Sequence, residues 1–242
     1  MQDKIVEERI IFVNDDKLQL AGVLAYPDHI EPKYAVLLCS PHPHFAGNMD
    51  NNVICEVARG LAVQAVTLRF DYRGVGDSQI SLRDGLSVFD YWSDIEETKD
   101  YTDAVTDVSA AANTLNSTIG ELDIPFSVVG YSFGAATGLL YGHEKEDVCS
   151  MVAIAPPLGK VSFDFLSDCS KPTLFLIGTG DFLYSAEKAQ QLQRNLASNA
   201  TVEVLEKADH FFRGDENILA RKVVEFIRNN VIFGTRRISD AI

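Results

Sequence analysis

The sequence has few cysteines, and their spacing argues against two common kinds of site. The four are Cys39, Cys55, Cys149 and Cys169. No two of them are arranged as C-x-x-C, and no group of cysteines and histidines has the spacing of zinc ligands. Cys39 and Cys149 lie in or beside apolar runs, where a reduced and buried thiol is expected. The sequence therefore predicts neither a zinc centre nor a dithiol redox motif.

Basic residues are also scarce relative to acidic ones. The chain carries 35 acidic and 21 basic residues, which gives a net charge of −14 at pH 7. Nucleic acids and anionic membranes are usually bound through basic faces, which an acidic chain of this kind does not favour. We therefore expect no nucleic acid and no membrane among its partners.

Long apolar runs are missing too. No run approaches the ~20 residues that a membrane helix needs. The first ten residues, MQDKIVEERI, lack the apolar segment of a signal peptide. The expected location is therefore the cytoplasm.

What the sequence does contain is a regular alternation of apolar strands and helical patterns. The 242 residues are 46% hydrophobic, enough to bury a core without metal or disulfide bonds. Residues 8–13 and 18–26 flank Asn14-Asp15-Asp16 and predict an antiparallel hairpin. Strands then alternate with helices, which predicts βαβ units and a mostly parallel sheet. Since no linker or repeat interrupts the pattern, we expect a single α/β domain over residues 1–242.

Residues 79–98 break this alternation, because they separate a predicted strand from a helix predicted over residues 99–115. The segment is longer than an ordinary βα connection and contains Phe89, Tyr91 and Trp92 among several acidic residues. One interpretation is a flap over an active site, with the three aromatic residues binding substrate. The other is a surface excursion whose aromatic side chains pack onto the domain.

A candidate nucleophile lies in Gly130-Tyr131-Ser132-Phe133-Gly134, which matches G-x-S-x-G. The motif follows an apolar strand at residues 126–129 and precedes an Ala/Gly-rich helix, the setting that it requires. A sharp turn there would lift the Ser132 hydroxyl above the edge of the sheet. The helix that follows would direct its N-terminus at the site and favour developing negative charge.

A serine nucleophile needs a base within hydrogen-bond reach. Of five histidines, His210 is the best placed, since it follows the last predicted strand and precedes the last helix. His29 lies near the start of the chain and His143 at the far end of the helix after Ser132. The chain order serine, acid, histidine therefore favours His210 as the base.

The carboxylate that orients the base should follow a strand between Ser132 and His210. Asp181 meets this condition, because it comes directly after the apolar strand around residues 173–177. It would hold the imidazole in the required tautomer and stabilise the imidazolium. Asp164 and Asp168 remain alternatives within a loop, and a helix-capping role remains open for Asp181.

The loop after the third strand should supply part of an oxyanion hole. One backbone N–H comes from Phe133, directly after the nucleophile, and the second from His44 or Phe45. Pro43 is excluded as a donor because it has no N–H. The pair His42 and His44 also raises the possibility of a metal site, but the sequence shows no third ligand nearby, so we predict none.

Two further motifs accompany these residues: residues 42–51 read HPHFAGNMDN and residues 69–78 read RFDYRGVGDS. With G-x-S-x-G, they make nearly the whole chain resemble the α/β-hydrolase superfamily. Within it, the chain is most similar to small cap-less bacterial serine hydrolases with an H-P-H…M-D-N loop. The resemblance implies about eight strands in a mostly parallel sheet with helices on both faces, no large cap domain, and a triad of Ser132, Asp181 and His210.

The expected function is that of a serine hydrolase (a carboxylesterase or thioesterase), which acts on a small-molecule acyl substrate through an acyl-enzyme and needs no cofactor. Acyl transfer to another acceptor, or lyase or perhydrolase chemistry on the same triad, remains an alternative. So does a ligand-binding protein that kept the fold and lost turnover. The sequence leaves the oligomeric state open.

Overall fold

The alternating segments at the start of the chain form the predicted hairpin. Strand β1 (Ile5–Val13) pairs antiparallel with β2 (Gln19–Pro27). In the turn, Asn14 Oδ1 accepts the Leu18 N–H at 2.9 Å, and its Nδ2 donates to buried Asp107 at 2.7 Å. The turn is therefore fixed on the body of the protein.

A computed structural model describes residues 4–45 and 47–239 and gives the sheet eight strands in the order β1-β2-β4-β3-β5-β6-β7-β8. The predicted domain bounds also include residues 1–3, 46 and 240–242, which lie outside the described residues. Pairing is antiparallel as far as β4 and parallel from β4 to β8. The remaining strands are β3 (Tyr34–Cys39), β4 (Ala65–Phe70), β5 (Phe126–Tyr131), β6 (Val148–Ile154), β7 (Thr173–Gly178) and β8 (Ala200–Leu205).

The order reverses at β3, because β4 lies on one side of it and β5 on the other. Ligands in open α/β sheets bind outside the carboxyl ends of the strands at such a reversal. The loops after β3 and β5 carry the predicted oxyanion residues and the predicted nucleophile. The topology therefore brings them to the same edge of the sheet.

Helices cover both faces, as predicted. The core on one face includes side chains of α1 (Asn52–Ala62) and α6 (Glu216–Ser239). The core on the other face draws on the other four helices, which are α2 (Val88–Thr98), α3 (Thr102–Ile119), α4 (Phe133–Glu144) and α5 (Ala186–Asn195). Within the described part of the chain, none of these helices has the length and apolarity needed to cross a membrane.

The second half of residues 79–98 is the helix α2, which the sequence analysis did not predict. Ser87 caps this helix by accepting the Asp90 N–H, while the Asp90 carboxylate accepts the Ser87 N–H at 3.0 Å. This reciprocal capping marks the start of the helix, and the Ser87-x-x-Asp90 spacing that produces it was not recognised in the sequence. Trp92 is fully buried and packs edge-to-face on Phe133 and His42, with ring centroids 5.6 and 5.7 Å away. The helix is therefore anchored in the core beside the predicted oxyanion residue.

Burial of Trp92 leads to a prediction about stability. Trp92→Ala should lower the free energy of unfolding by about 3–5 kcal/mol, as large-to-small changes in a core do. Phe89, on the same helix but 65% exposed, is the matched control, and Phe89→Ala should cost less than about 1 kcal/mol. Urea denaturation of the two variants measures both values. Equal losses would show that Trp92 does not anchor α2.

Candidate functional site

Ser132 occupies a strained turn between β5 and α4. Its backbone has φ 54° and ψ −111°, a combination that non-glycine residues adopt only where the surroundings impose it. A Cβ atom at Gly130 would lie 2.0 Å from the Gly134 carbonyl oxygen, and one at Gly134 would lie 2.1 Å from the Cys39 carbonyl oxygen. The two glycines of the motif are therefore required by close backbone contacts.

The three predicted catalytic side chains meet at the carboxyl edge of the sheet. Asp181 follows β7, and its Oδ2 lies 2.7 Å from Nδ1 of His210, which follows β8. His210 Nε2 lies 3.1 Å from Ser132 Oγ. A carboxylate at Nδ1 places the ring proton there and leaves Nε2 to accept the serine hydroxyl proton. The rival Asp164 instead accepts a hydrogen bond from Asn195 Nδ2 at 3.0 Å on the surface.

Further hydrogen bonds fix the positions of both Asp181 and His210. The Leu183 N–H donates to Asp181 Oδ1 at 2.7 Å. The Tyr131 hydroxyl donates to the His210 carbonyl at 2.8 Å. Tyr131 is the variable residue before the nucleophile, so one pentapeptide positions both the serine and the loop of its base. Sequence reasoning missed this residue because the motif places no condition on it.

Phe133 begins α4, and its N–H is one of the first-turn amides that have no acceptor within a helix. The two amides proposed as second oxyanion donors are both bonded within their own loop. The His44 N–H donates to His42 Nδ1 at 3.2 Å, and the Phe45 N–H donates to the His42 carbonyl at 3.0 Å. The hydrogen bond from the His44 N–H is the longer of the two and is accepted by a side chain. It is therefore the easier one to replace by a hydrogen bond to an oxyanion.

A buried carboxylate holds this loop. Asp71 Oδ1 accepts the Met49 N–H at 2.6 Å, and the Ser78 hydroxyl donates to the Asp71 carbonyl at 2.8 Å. A Cβ atom at Gly76 would lie 2.5 Å from Asp71 Oδ2. Burial raises the pKa of Asp71 to about 6, against the opposing effect of the Met49 hydrogen bond. These contacts explain the motif at residues 69–78 as a support for the loop after β3.

The raised pKa of Asp71 predicts a pH-dependent effect of Asp71→Asn. In wild type, the folded state binds more protons than the unfolded state between about pH 4 and 6, so this group's contribution to stability falls as the pH rises through that window. Asparagine keeps an acceptor for Met49 and cannot ionise. The unfolding free energy of the variant relative to wild type should therefore increase by about 1 kcal/mol from pH 5 to 7.5. Urea denaturation at both pH values tests this, and a difference that does not change with pH would contradict it.

A cavity opens in front of Ser132. Its lining is mostly apolar, with a charged stretch on the side of α2, and consists of His42, Phe45, Glu96, Lys99, Tyr101, Ser132, Phe133, Ala136, Pro157, Lys160, Val161, Phe182, Leu183 and His210. Phe89, Tyr91 and Trp92 were predicted to bind substrate, but none of them lines this cavity. Phe89 stacks on His44 with ring centroids 4.1 Å apart, Tyr91 donates to Asp103 at 2.7 Å, and Trp92 lies in the core. Phe45 and Phe182, which are 52% and 63% exposed, lie at the mouth instead.

Glu96 joins His42 and His44 in a cluster whose possible ligand atoms lie within 4.8 Å of one another. Glu96 was not predicted as a third ligand, because it belongs to a helix that the sequence pattern did not indicate. Burial lowers the pKa of His42 to about 4, so its ring is neutral. However, His42 Nδ1 accepts the His44 N–H, and Lys160 Nζ donates to Glu96 at 2.8 Å. A metal ion would have to compete with both contacts.

The chain is similar to a family of known proteins and to a curated relative. The sequence profile of the Dienelactone hydrolase family matches residues 79–227. A Rickettsia prowazekii (strain Madrid E) protein, named uncharacterized protein RP471, is 27% identical over 202 residues, which cover 79% of this chain and 77% of the relative.

Solved structures share the fold. An alpha-beta serine hydrolase homologue from Coxiella burnetii is 25% identical, with a TM-score of 0.75 over 90% of this chain and 96% of that one. A serine hydrolase without a lid, XC6422 from Xanthomonas campestris, is 21% identical, with a TM-score of 0.74 over 92% and 94%. The eight-stranded, mostly parallel sheet is thus confirmed, and within the described residues so is the absence of a large cap domain.

Proposed function

Because this chain belongs to the dienelactone hydrolase family, a family of hydrolases, we propose that it is a serine hydrolase that cleaves a carboxylic ester or thioester through an acyl-enzyme on Ser132. One observation carries the proposal. A continuous path of hydrogen bonds, 2.7 and 3.1 Å long, runs from Asp181 through His210 to a serine at the start of a helix. Such a path activates a hydroxyl for attack on a carbonyl carbon.

The chemistry follows from the positions of these groups. His210 Nε2 takes the hydroxyl proton as Ser132 Oγ attacks the substrate carbonyl, and the imidazolium then protonates the departing alcohol or thiol. The Phe133 N–H stabilises the oxyanion, and the His44 N–H does so after leaving His42. A water molecule, deprotonated by His210, releases the acid and restores Ser132. The chain's own residues supply every proton transfer, so we propose that no cofactor is needed.

The cavity favours a small-molecule acyl substrate. Its volume is about 50 Å³, room for roughly four water molecules at 10–15 Å³ each. Its walls are largely aromatic and aliphatic, which suits an apolar acyl group. An acyltransferase, lyase or perhydrolase would use the same triad, and these activities would appear as products other than the free acid.

Two measurements on one preparation test the proposal. A fluorophosphonate should label the protein at Ser132, and chromogenic acetyl and butyryl esters, or the matching thioesters, should be hydrolysed to the free acid. Labelling without turnover of any ester or thioester would indicate one of the alternative activities or a ligand-binding protein. A protein that is not labelled and that hydrolyses no ester or thioester would overturn the proposal.

A further inference from the structure

The cavity in front of Ser132 contains an ion pair that the proposed chemistry does not use. Glu96 from α2 and Lys160 from the loop after β6 both line it. Lys160 Nζ donates to Glu96 Oε1 at 2.8 Å, and this bond lowers the pKa of the Glu96 carboxyl. The two side chains are 43% and 35% exposed, so the pair lies where this part of the cavity meets solvent.

The α2 side of the pair is fixed. Trp92 lies one turn before Glu96 on the helix and is fully buried. A second contact joins His44 Nε2 to the Phe89 carbonyl at 3.1 Å. Because both contacts hold the helix against the loop after β3, α2 cannot move away without exposing its tryptophan.

The Lys160 side is also fixed. Lys188 Nζ, from α5, donates to the Leu158 carbonyl at 3.3 Å. Gly159 has φ 76°, and a Cβ atom there would lie 2.8 Å from the Lys188 side chain. The loop backbone is therefore held in place, and the cavity can open on this side chiefly through movement of the Lys160 and Glu96 side chains.

We propose that the Glu96–Lys160 ion pair closes the acyl pocket on the side of α2 and so restricts the enzyme to short acyl groups. The inference rests on the proposed function. A long chain would have to separate the two side chains, whereas without the pair it would pass between Tyr101 and Val161, which also line the cavity. An exposed ion pair contributes little to folding, so either partner can be replaced in a folded protein.

The test is the ratio of kcat/KM for an octanoyl ester to that for an acetyl ester. Lys160→Ala and Glu96→Ala should each raise this ratio about tenfold or more, since each further buried methylene favours binding. Glu96→Lys places two like charges together and should raise it as well. Combining Glu96→Lys with Lys160→Glu re-forms an ion pair with reversed polarity and should lower the ratio again.

A second exposed ion pair provides the control. Lys222 Nζ and a Glu203 oxygen are 2.7 Å apart, and the two side chains are 39% and 41% exposed. They belong to α6 and β8, and neither lines the cavity in front of Ser132. Lys222→Ala should therefore leave the ratio unchanged.

Two results would overturn the inference. One is an unchanged ratio in both Lys160→Ala and Glu96→Ala, and the other is a ratio that stays high when the charges are reversed together. Labelling of Ser132 by methyl and octyl fluorophosphonates repeats the comparison without turnover. If wild type hydrolyses acetyl esters and the variants have the same ratio as wild type, only the inference about the ion pair and the acyl pocket fails. If wild type is neither labelled nor active, the proposed function fails and this inference with it.

Discussion

Replacing Ser132 with alanine should reduce kcat by ~10⁴-fold or more while the protein stays folded. The substitution removes one oxygen that lies 3.1 Å from His210 Nε2, and no neighbouring group can take its place as the nucleophile that bonds to the acyl carbon. The strained turn itself is retained, because its conformation is imposed by contacts of Gly130 and Gly134. Initial rates on an acetyl ester and the melting temperature measure the two parts of this prediction.

A serine outside the site provides the control for a serine-to-alanine substitution. Ser117 is exposed on α3, and its hydroxyl donates to the Asn113 carbonyl of its own helix. Ser117→Ala should keep full activity. Ester hydrolysis by Ser132→Ala at a tenth of the wild-type rate would mean that the nucleophile is another group.

Asp181→Asn should lower kcat by about 10³–10⁴-fold. The amide can present its NH₂ group to His210 Nδ1, which then accepts a hydrogen bond and leaves the ring proton on Nε2. In that tautomer Nε2 cannot take the proton of Ser132. The side chain is 2% exposed and asparagine fills the same space, so stability should change far less than activity. Circular dichroism and initial rates separate the two effects.

Asp164 is the matched control for this substitution, because sequence reasoning left it open as the acid and the structure places it on the surface beside Asn195. Asp164→Asn should retain activity within about twofold, as surface substitutions generally change little. A large loss in Asp164→Asn together with an active Asp181→Asn would place the carboxylate on the other loop.

The backbone framework was predictable because each step depends on a local pattern. The apolar strand before Gly130 and the small residues after it describe a strand–turn–helix, and the chain order then selects Asp181 and His210 at the ends of later strands. Parallel strands present their carboxyl ends at one edge of a sheet. That geometry alone brings together three residues separated by up to 78 positions in the sequence.

Contacts between distant loops were not predictable in the same way. Residues 79–98 were interpreted as a loop because acidic residues obscure the apolar face of α2, although Ser87 and Asp90 form a capping box. Once that helix is missed, the i, i+4 relation that puts Trp92 and Glu96 on one side of it is missed too. The aromatic residues of this helix were therefore predicted to bind substrate. The Glu96–Lys160 ion pair joins residues 64 positions apart in the chain, and neither local sequence indicates that the two residues meet.

The second donor of the oxyanion hole was difficult to predict for a different reason. His44 and Phe45 were selected by their place after β3, and the structure keeps them there. Which of these amides are free depends on turn hydrogen bonds to His42, and those bonds depend on the exact φ and ψ angles of the loop after β3. Sequence patterns specify that a loop lies at this position, but they do not specify which of its N–H groups face the cavity.

The most direct test of the central claim is to trap the covalent intermediate. The protein is mixed with a p-nitrophenyl acetate substrate, quenched in acid within the first turnover, digested and analysed by mass spectrometry. We expect one acetyl group on the peptide that contains Ser132 and none in Ser132→Ala. The acetyl group should disappear on longer incubation, as His210 activates water to hydrolyse the ester. Steady hydrolysis of the substrate with an acetyl group on another residue, or with the same hydrolysis in Ser132→Ala, would contradict the claim.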